Sequence, residues 1–215
     1  MDTKYPSYEV YEKLYARYFK RSVTELTDSA NVQKTDKVLD ICGGGGRLTR
    51  QLVKLSDFVS YLDQEADMIP SDLAIMGVKI YNLSIQDFLK TNKERYNKVF
   101  CQQAINYWLN DIDVEQFAGI FEENGLFVFN TFNNKPTEKP MVKEYEYDEA
   151  NFIETSLLIG DKVHHVQIRE GYAPHYTVFD WIPGEDIEEK LSPFFSINVA
   201  VSGATAIYKC ERAMK

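Results

Sequence analysis

Apolar and polar residues are grouped in blocks along this chain, and the period of the blocks changes twice. Residues 38–41, Val-Leu-Asp-Ile, form a short apolar run that reads as a buried strand. Just beyond it Leu48, Leu52 and Leu55 recur at helical spacing, with Arg47, Arg50 and Gln51 on the other face. Residues 58–62, 78–81, 98–101 and 126–130 read as four further strands. Residues 111–123 predict an amphipathic helix with Val114, Phe117, Ile120 and Phe121 inward, stopped by Asn124-Gly125. Residues 8–20 predict an earlier helix, with Tyr8, Tyr11, Tyr15, Tyr18 and Phe19 near one face. It continues towards Leu26 and ends across residues 28–31. Strands alternating with helices predict an α/β fold, a parallel sheet with helices on both faces.

After residue 132 the pattern changes. Residues 133–140 are polar and broken by Pro136 and Pro140. Alternating runs then cover residues 142–147, 152–159, 163–169 and 172–179, with Gly160-Asp161 and Glu170-Gly171 between the last three. This predicts an inserted antiparallel β-meander. A helix over residues 183–191 and two strands, residues 194–201 and 204–210, close the chain as an antiparallel pair. The expected division is a helical cap over residues 1–30, a core over 31–132 and 180–215, and an inserted lid over 133–179.

Four glycines, Gly43 to Gly46, sit between the first strand and its helix. Glycine lets a backbone approach a ligand closely, and the helix behind aims free N–H groups at the loop. A flexible linker is the plain alternative, but both flanks are strongly patterned. The dinucleotide fingerprint fails, because its last glycine falls on Leu48 or Thr49. A P-loop fails too, since Gly46 is followed by Arg47-Leu48. Asp63 ends the second strand, nineteen positions beyond Gly44. An acid about 20 residues on is where a Rossmann-like site grips a ribose diol, and it is equally a helix N-cap.

The stretch from Asp40 to Gly46 resembles the first motif of class I S-adenosylmethionine (SAM)-dependent methyltransferases, D-x-G-x-G-x-G. Asp40, Gly44 and Gly46 match it, and Cys42 stands where the first glycine usually is. Asp63, followed by Gln64 and Met68, resembles the second motif, whose methionine packs beside the adenine. Residues 82–88 resemble the adenine-side loop, with Ser84 in the place of the usual aspartate and Ile85 after it. The resemblance therefore implies a Rossmann-like methyltransferase sheet with SAM as cofactor. Its expected binding residues are Asp40, Cys42, Gly44, Gly46, Asp63, Gln64, Met68, Ser84, Ile85 and Gln103.

A narrower resemblance is to small-molecule, aminosugar-type N-methyltransferases with an antiparallel lid. It rests on the tyrosine-rich first helix, on residues 103–107 and on residues 177–181. It implies methyl transfer to nitrogen or oxygen of a small molecule, in natural-product biosynthesis. It also puts Tyr15 and Tyr107 at the acceptor; the tyrosine face of the first helix adds Tyr11, the segment after the fourth strand adds Trp108 and the meander adds His175, with Tyr15 and His175 as the catalytic candidates. All three histidines lie in the meander. Adjacent His164 and His165 must face opposite sides of a strand, so at most one faces a pocket. His175 is favoured as a base because it follows Pro174 at a strand entry.

The chain has 215 residues, enough for one domain with a sizeable core. Its 24 Lys+Arg against 33 Asp+Glu give a formal net charge of -9, which argues against nucleic acid as substrate. No apolar run approaches membrane-spanning length and the start has no signal-peptide pattern, so a cytoplasmic enzyme with no membrane partner is expected. Cys42, Cys101 and Cys210 are odd in number and widely spaced, which suggests reduced thiols and no metal site. The expected partner is a small-molecule acceptor, with a homodimer left open. Two other classes are compatible with the motifs: a SAM-binding regulatory protein that has lost its acceptor pocket, and a fold relative that binds a nucleotide.

Overall fold

The computed structural model describes residues 7–202 and 204–213, without the side chains of residues 16–21 and 202. The expectations for the Tyr18 and Phe19 side chains lie outside the described residues. One sheet of seven strands carries the core: β1 (Lys37–Ile41), β2 (Phe58–Leu62), β3 (Lys79–Tyr81), β4 (Tyr96–Gln102), β5 (Phe121–Phe132), β10 (Phe195–Ser202) and β11 (Thr205–Arg212). Their order is β10-β11-β5-β4-β1-β2-β3. The first five strands run parallel, while β11 runs antiparallel to both β5 and β10. A second sheet of four antiparallel strands, β6 (Met141–Tyr147), β7 (Ala150–Ile159), β8 (Lys162–Arg169) and β9 (His175–Asp180), follows β5.

The helices are α1 (Tyr8–Ala30), α2 (Arg47–Leu55), α3 (Asp72–Ile75), α4 (Ile85–Thr91), α5 (Val114–Ala118) and α6 (Gly184–Leu191). Period two decides which side of the sheet each strand residue serves. Val38 and Val128 pack with Leu26 of α1 and with Leu48 and Leu52 of α2. Leu39, Ile41, Phe127 and Phe129 pack on the other side with Phe117 and with Leu191 of α6. Both faces are therefore covered, as a parallel sheet requires. Strand order reverses between β1 and β4. The loops after those two strands flank a crevice at their carboxyl ends, where α/β sheets bind ligands.

Two local expectations need correction. The helix expected over residues 111–123 is one short helix, α5, and Phe121 already belongs to β5. Phe117 and Phe121 mimic a helical face because both are buried and their rings meet edge-on at 5.2 Å. Phe121 instead pairs with Tyr96, and the register shifts before Leu126 pairs with Lys98. Asn124 has φ 59° there, and a Cβ on Gly125 would lie 2.9 Å from the Glu122 carbonyl oxygen, so Asn124-Gly125 forms a bulge and not a helix stop. Residues 82–88, read as a loop, contain the start of α4. Ser84 caps it by accepting the Asp87 N–H at 3.1 Å, and the Asp87 carboxylate accepts the Ser84 hydroxyl in return at 2.9 Å.

Candidate functional site

The glycine loop is held from two sides by residues at the end of β2. One carboxylate oxygen of Asp63 accepts the Gly44 N–H at 2.9 Å, and the other accepts the Glu65 N–H at 2.9 Å. The Tyr61 hydroxyl donates to the Gly44 carbonyl at 2.6 Å. Gly43 packs so tightly on the Tyr61 ring that a Cβ there would lie 2.3 Å from it. Gly44, at φ 51°, is different: its added Cβ would meet Met68 Cε at 3.7 Å and the Tyr11 ring at 3.9 Å. Here the missing side chain leaves a gap walled by a methionine and a tyrosine.

Asp40 lies under this loop, buried at 1 % exposure. Thr49 of α2 donates to one carboxylate oxygen at 2.6 Å, while Oδ1 has no hydrogen-bond partner. Burial pushes the Asp40 pKa up to about 7, against the lowering effect of the Thr49 bond. Burial also raises the Asp63 pKa from its ordinary value, with the bonds from Glu65 and Gly44 opposing it. Desolvation raises the Cys42 thiol well above its ordinary value, so it is an uncharged wall group and not a nucleophile.

A cavity of about 530 Å³ opens above the loop and runs beneath the four-stranded sheet. Its walls include Asp40, Cys42, Gly44, Asp63, Gln64, Met68, Ile85 and Gln103 of the residues expected at the cofactor. Two others stand outside the wall. Gly46 is the N-cap of α2 at φ 71°, and its added Cβ would press on Leu73 at 3.0 Å and Pro70 at 3.1 Å. Ser84 is engaged in capping α4, so its neighbours Leu83, Ile85 and Gln86 line the cavity in its stead.

Tyr15, Tyr107 and Trp108 also reach the wall, as does Tyr11, whose ring borders Gly44. Tyr11 and Tyr15 lie with ring centroids 4.6 Å apart, and Tyr107 packs against Phe179 of β9 at 5.4 Å. Trp108 is only 3 % exposed and packs on Phe117, so most of its ring serves the core. His175 stands one hydrogen bond behind the wall, its Nδ1 2.8 Å from the Tyr15 hydroxyl. Burial lowers its pKa to about 4, so the ring is neutral near pH 7. His165 is the histidine that lines the cavity, 3.0 Å from the Ser156 hydroxyl, while its neighbour His164 turns to Tyr176.

Several wall residues carried no motif. Glu12 of α1 pairs with Arg47, whose Nε is 2.8 Å from its carboxylate, and so ties the first helix to the glycine loop. Glu154, Ser156 and His165 come from the second sheet. The period-two alternation of residues 152–158 and 163–167 was the only available signal for them. Among the described residues, no group of three or more His, Cys, Asp or Glu side chains is gathered as a metal site.

Searches of known proteins bear on the fold. The chain resembles the Streptomyces venezuelae protein DesVI, with a TM-score of 0.71 over 95% of this chain and 98% of that one at 14% identity. It also resembles SAM-bound CalS10, an amino pentose methyltransferase from Micromonospora echinaspora involved in calicheamicin biosynthesis, with a TM-score of 0.68, 99% coverage of each chain and 11% identity. The chain has the class I methyltransferase fold. In that fold the glycine loop after β1 and the acid after β2 sit beside the crevice found here. By sequence, a ubiquinone biosynthesis O-methyltransferase of Glaesserella parasuis is 25% identical over 118 residues. That match spans half the length of this chain and half the length of the relative. No family model matches.

Proposed function

We propose that this chain is a SAM-dependent methyltransferase that methylates a nitrogen or oxygen of a small molecule in natural-product biosynthesis. The observation that carries this reading is the continuity of the cavity. One space joins the glycine loop and Asp63 to a chamber under the second sheet, so cofactor and acceptor fit in one enclosure. A binding protein without an acceptor pocket would not need that chamber. The residues fit the cofactor: Gly44 leaves a gap beside Met68, and the partnerless oxygen of buried Asp40 suits a cationic or hydrogen-donating ligand. Bound SAM supplies a methyl group on a sulfonium centre that is already a good leaving group.

The chain's own task is then positioning and proton handling. With the proton on Nε2 of His175, Nδ1 accepts the Tyr15 hydroxyl hydrogen and fixes the direction of that oxygen. The lid over residues 133–179 closes the chamber and keeps water from it. Sugar and amine chemistry among the similar structures supports nitrogen as the target, while the curated relative supports oxygen.

The test is direct. Calorimetry measures SAM binding, and mass spectrometry follows a deuterated methyl group from SAM into a panel of amines, alcohols and phenols. SAM binding with methyl gain in a small acceptor supports the reading. Binding without transfer to any member favours a regulatory protein, and absence of SAM binding overturns both.

A further inference from the structure

The two ends of α1 are anchored differently. Val23, Leu26 and Ala30 are buried and share a core cluster with Leu48 and Leu52 of α2 and Val38 of β1, an apolar attachment that water does not replace. Among residues 7–15 Leu14 alone is buried. Around it the first turns make polar ties to the rest of the chain. One oxygen of the Glu12 carboxylate accepts the Arg47 Nε–H at 2.8 Å and an Nη2–H as well. The Lys13 carbonyl accepts Arg169 at 3.0 Å, and the Tyr15 hydroxyl meets His175 at 2.8 Å.

Those first turns wall the glycine-loop end of the cavity. The Tyr11 ring lies 3.9 Å from where a Cβ on Gly44 would stand. The second Glu12 oxygen borders Gly45, whose added Cβ would meet it at 2.6 Å and the Glu12 Cγ at 2.9 Å. Tyr11, Glu12, Gly44, Gly45 and Arg47 all line the cavity. The loop itself is pinned, because Asp63 and Tyr61 hold Gly44 by its N–H and its carbonyl. The helix side is the weaker wall. The Glu12 and Arg47 side chains are 20% and 32% exposed, so water can replace their contact when it opens. We propose that the Glu12–Arg47 pair is a latch: it holds the first turns of α1 against the glycine loop, and its opening sets the rate at which cofactor enters and its demethylated product leaves. That the occupant is SAM rests on the methyltransferase reading; the weak attachment of the first turns does not.

A latch and a cofactor contact differ in kinetics. A bond made equally with and without the cofactor cancels from the equilibrium but remains in both rates, whereas a bond to the cofactor changes affinity. Surface plasmon resonance with S-adenosylhomocysteine on the full chain reads both rates. Glu12→Gln and Arg47→Gln should each raise the on-rate and the off-rate by about two- to fivefold, the range a part-exposed pair supports, and leave Kd nearly unchanged. The double variant should go no further than either single one, since all three break one contact. Added salt should raise both rates of the native chain and leave those of Glu12→Gln alone, a comparison that survives if Arg47→Gln folds poorly. Hydrogen exchange without ligand gives a separate reading: in Glu12→Gln residues 8–15 should exchange faster while residues 22–30 keep their protection. Unchanged rates overturn the proposal. So does an off-rate that rises alone with Kd weakened by the same factor, which would make Glu12 a cofactor contact. If neither the native chain nor any variant binds S-adenosylhomocysteine, the methyltransferase reading falls, and the latch stands or falls on the exchange of residues 8–15.

Discussion

Asp40 gives the most quantitative handle on the cofactor site. Its carboxylate is buried, half satisfied by Thr49, and shifted up to about 7 by desolvation. A SAM molecule in the cavity brings positive charge to the ionised form, so binding should favour Asp40 without its proton. With a free-state pKa of about 7, about ten parts in eleven of the protein hold that proton at about pH 6, and about one part in eleven at about pH 8. If only the ionised form binds, apparent affinity scales with its fraction and rises about tenfold between those two values. At about pH 7 binding should release about half a proton. Calorimetry in two buffers of different ionisation enthalpy reads both quantities. Asp40→Asn keeps an acceptor for Thr49 and removes the titration, so its residual slope reports the cofactor's own amine. A dissociation constant that moves less than about twofold across this range, or an unchanged slope in Asp40→Asn, would refute the assignment of the charge to Asp40.

The same shift has a stability sign. A folded pKa raised above 3.8 adds stability below that value and loses it as pH rises through about 7. Asp40→Asn should therefore raise the apo midpoint at about pH 8, by up to about 4 kcal/mol in free energy, and change little at about pH 4, as thermal melts at both values would show. Asp63→Ala strands the N–H groups of Gly44 and Glu65 and should cost about 1–3 kcal/mol for each in urea unfolding. Asp63→Asn keeps one acceptor and should cost about half as much; equal losses would count against the two-bond clamp. Ser84→Ala should lose about 1 kcal/mol of stability as a missing helix cap and leave SAM affinity unchanged; a large loss of affinity would return Ser84 to the cofactor. Tyr15→Phe should lower turnover at every pH while keeping the ring packed at a tilt against Tyr11, and His175→Ala should lower it to a smaller extent. With a His175 pKa near 4, neither variant should change the pH profile above about pH 6, so a profile that breaks there in the native enzyme belongs to another group.

How much of this was legible in the sequence follows from how local each cause is. The strand–glycine–helix–strand–acid layout was readable because Val38 to Ile41, Gly43 to Gly46 and Asp63 lie within one βαβ unit. The meander was readable because its strands alternate with period two. The false helix over residues 111–123 arose where two buried phenylalanines, four apart, serve adjacent elements. The bulge that separates those elements is a tertiary fact set by pairing with β4. The turn between β6 and β7 was silent as well. Asp148 and Glu149 take φ 51° and 57° without a glycine, so no turn signal marks them. Among site residues, Ser84 was placed by family pattern, but its local chemistry as an S-x-x-D cap won. Glu154 and His165 carry no motif and matter only because the second sheet turns that face towards the core.

What fixes the sheet in that orientation is a set of polar ties to the core. The Asn106 amide, in the segment after β4, donates to the Asp180 carbonyl at 2.9 Å, where β9 leaves the second sheet. Its oxygen accepts the Thr131 hydroxyl at 2.6 Å, where β5 approaches the insertion. One buried side chain thus binds both the entry and the exit of the inserted sheet. Tyr15 to His175 and Arg169 to the Lys13 carbonyl, at 3.0 Å, add a second attachment through α1. The first attachment is core to sheet and the second is first helix to sheet, so they can be separated. Asn106→Ala removes both buried bonds and strands the Thr131 hydroxyl, and should cost about 2–3 kcal/mol in denaturant unfolding. If the ties hold the chamber together, hydrogen exchange in residues 141–180 should quicken in Asn106→Ala while residues 37–62 keep their protection. Tyr15→Phe, by contrast, should quicken exchange in α1 and around His175 alone. Uniform loss of protection across both sheets in Asn106→Ala would mean that the inserted sheet and the core unfold as one unit, and that the chamber has no independent hinge.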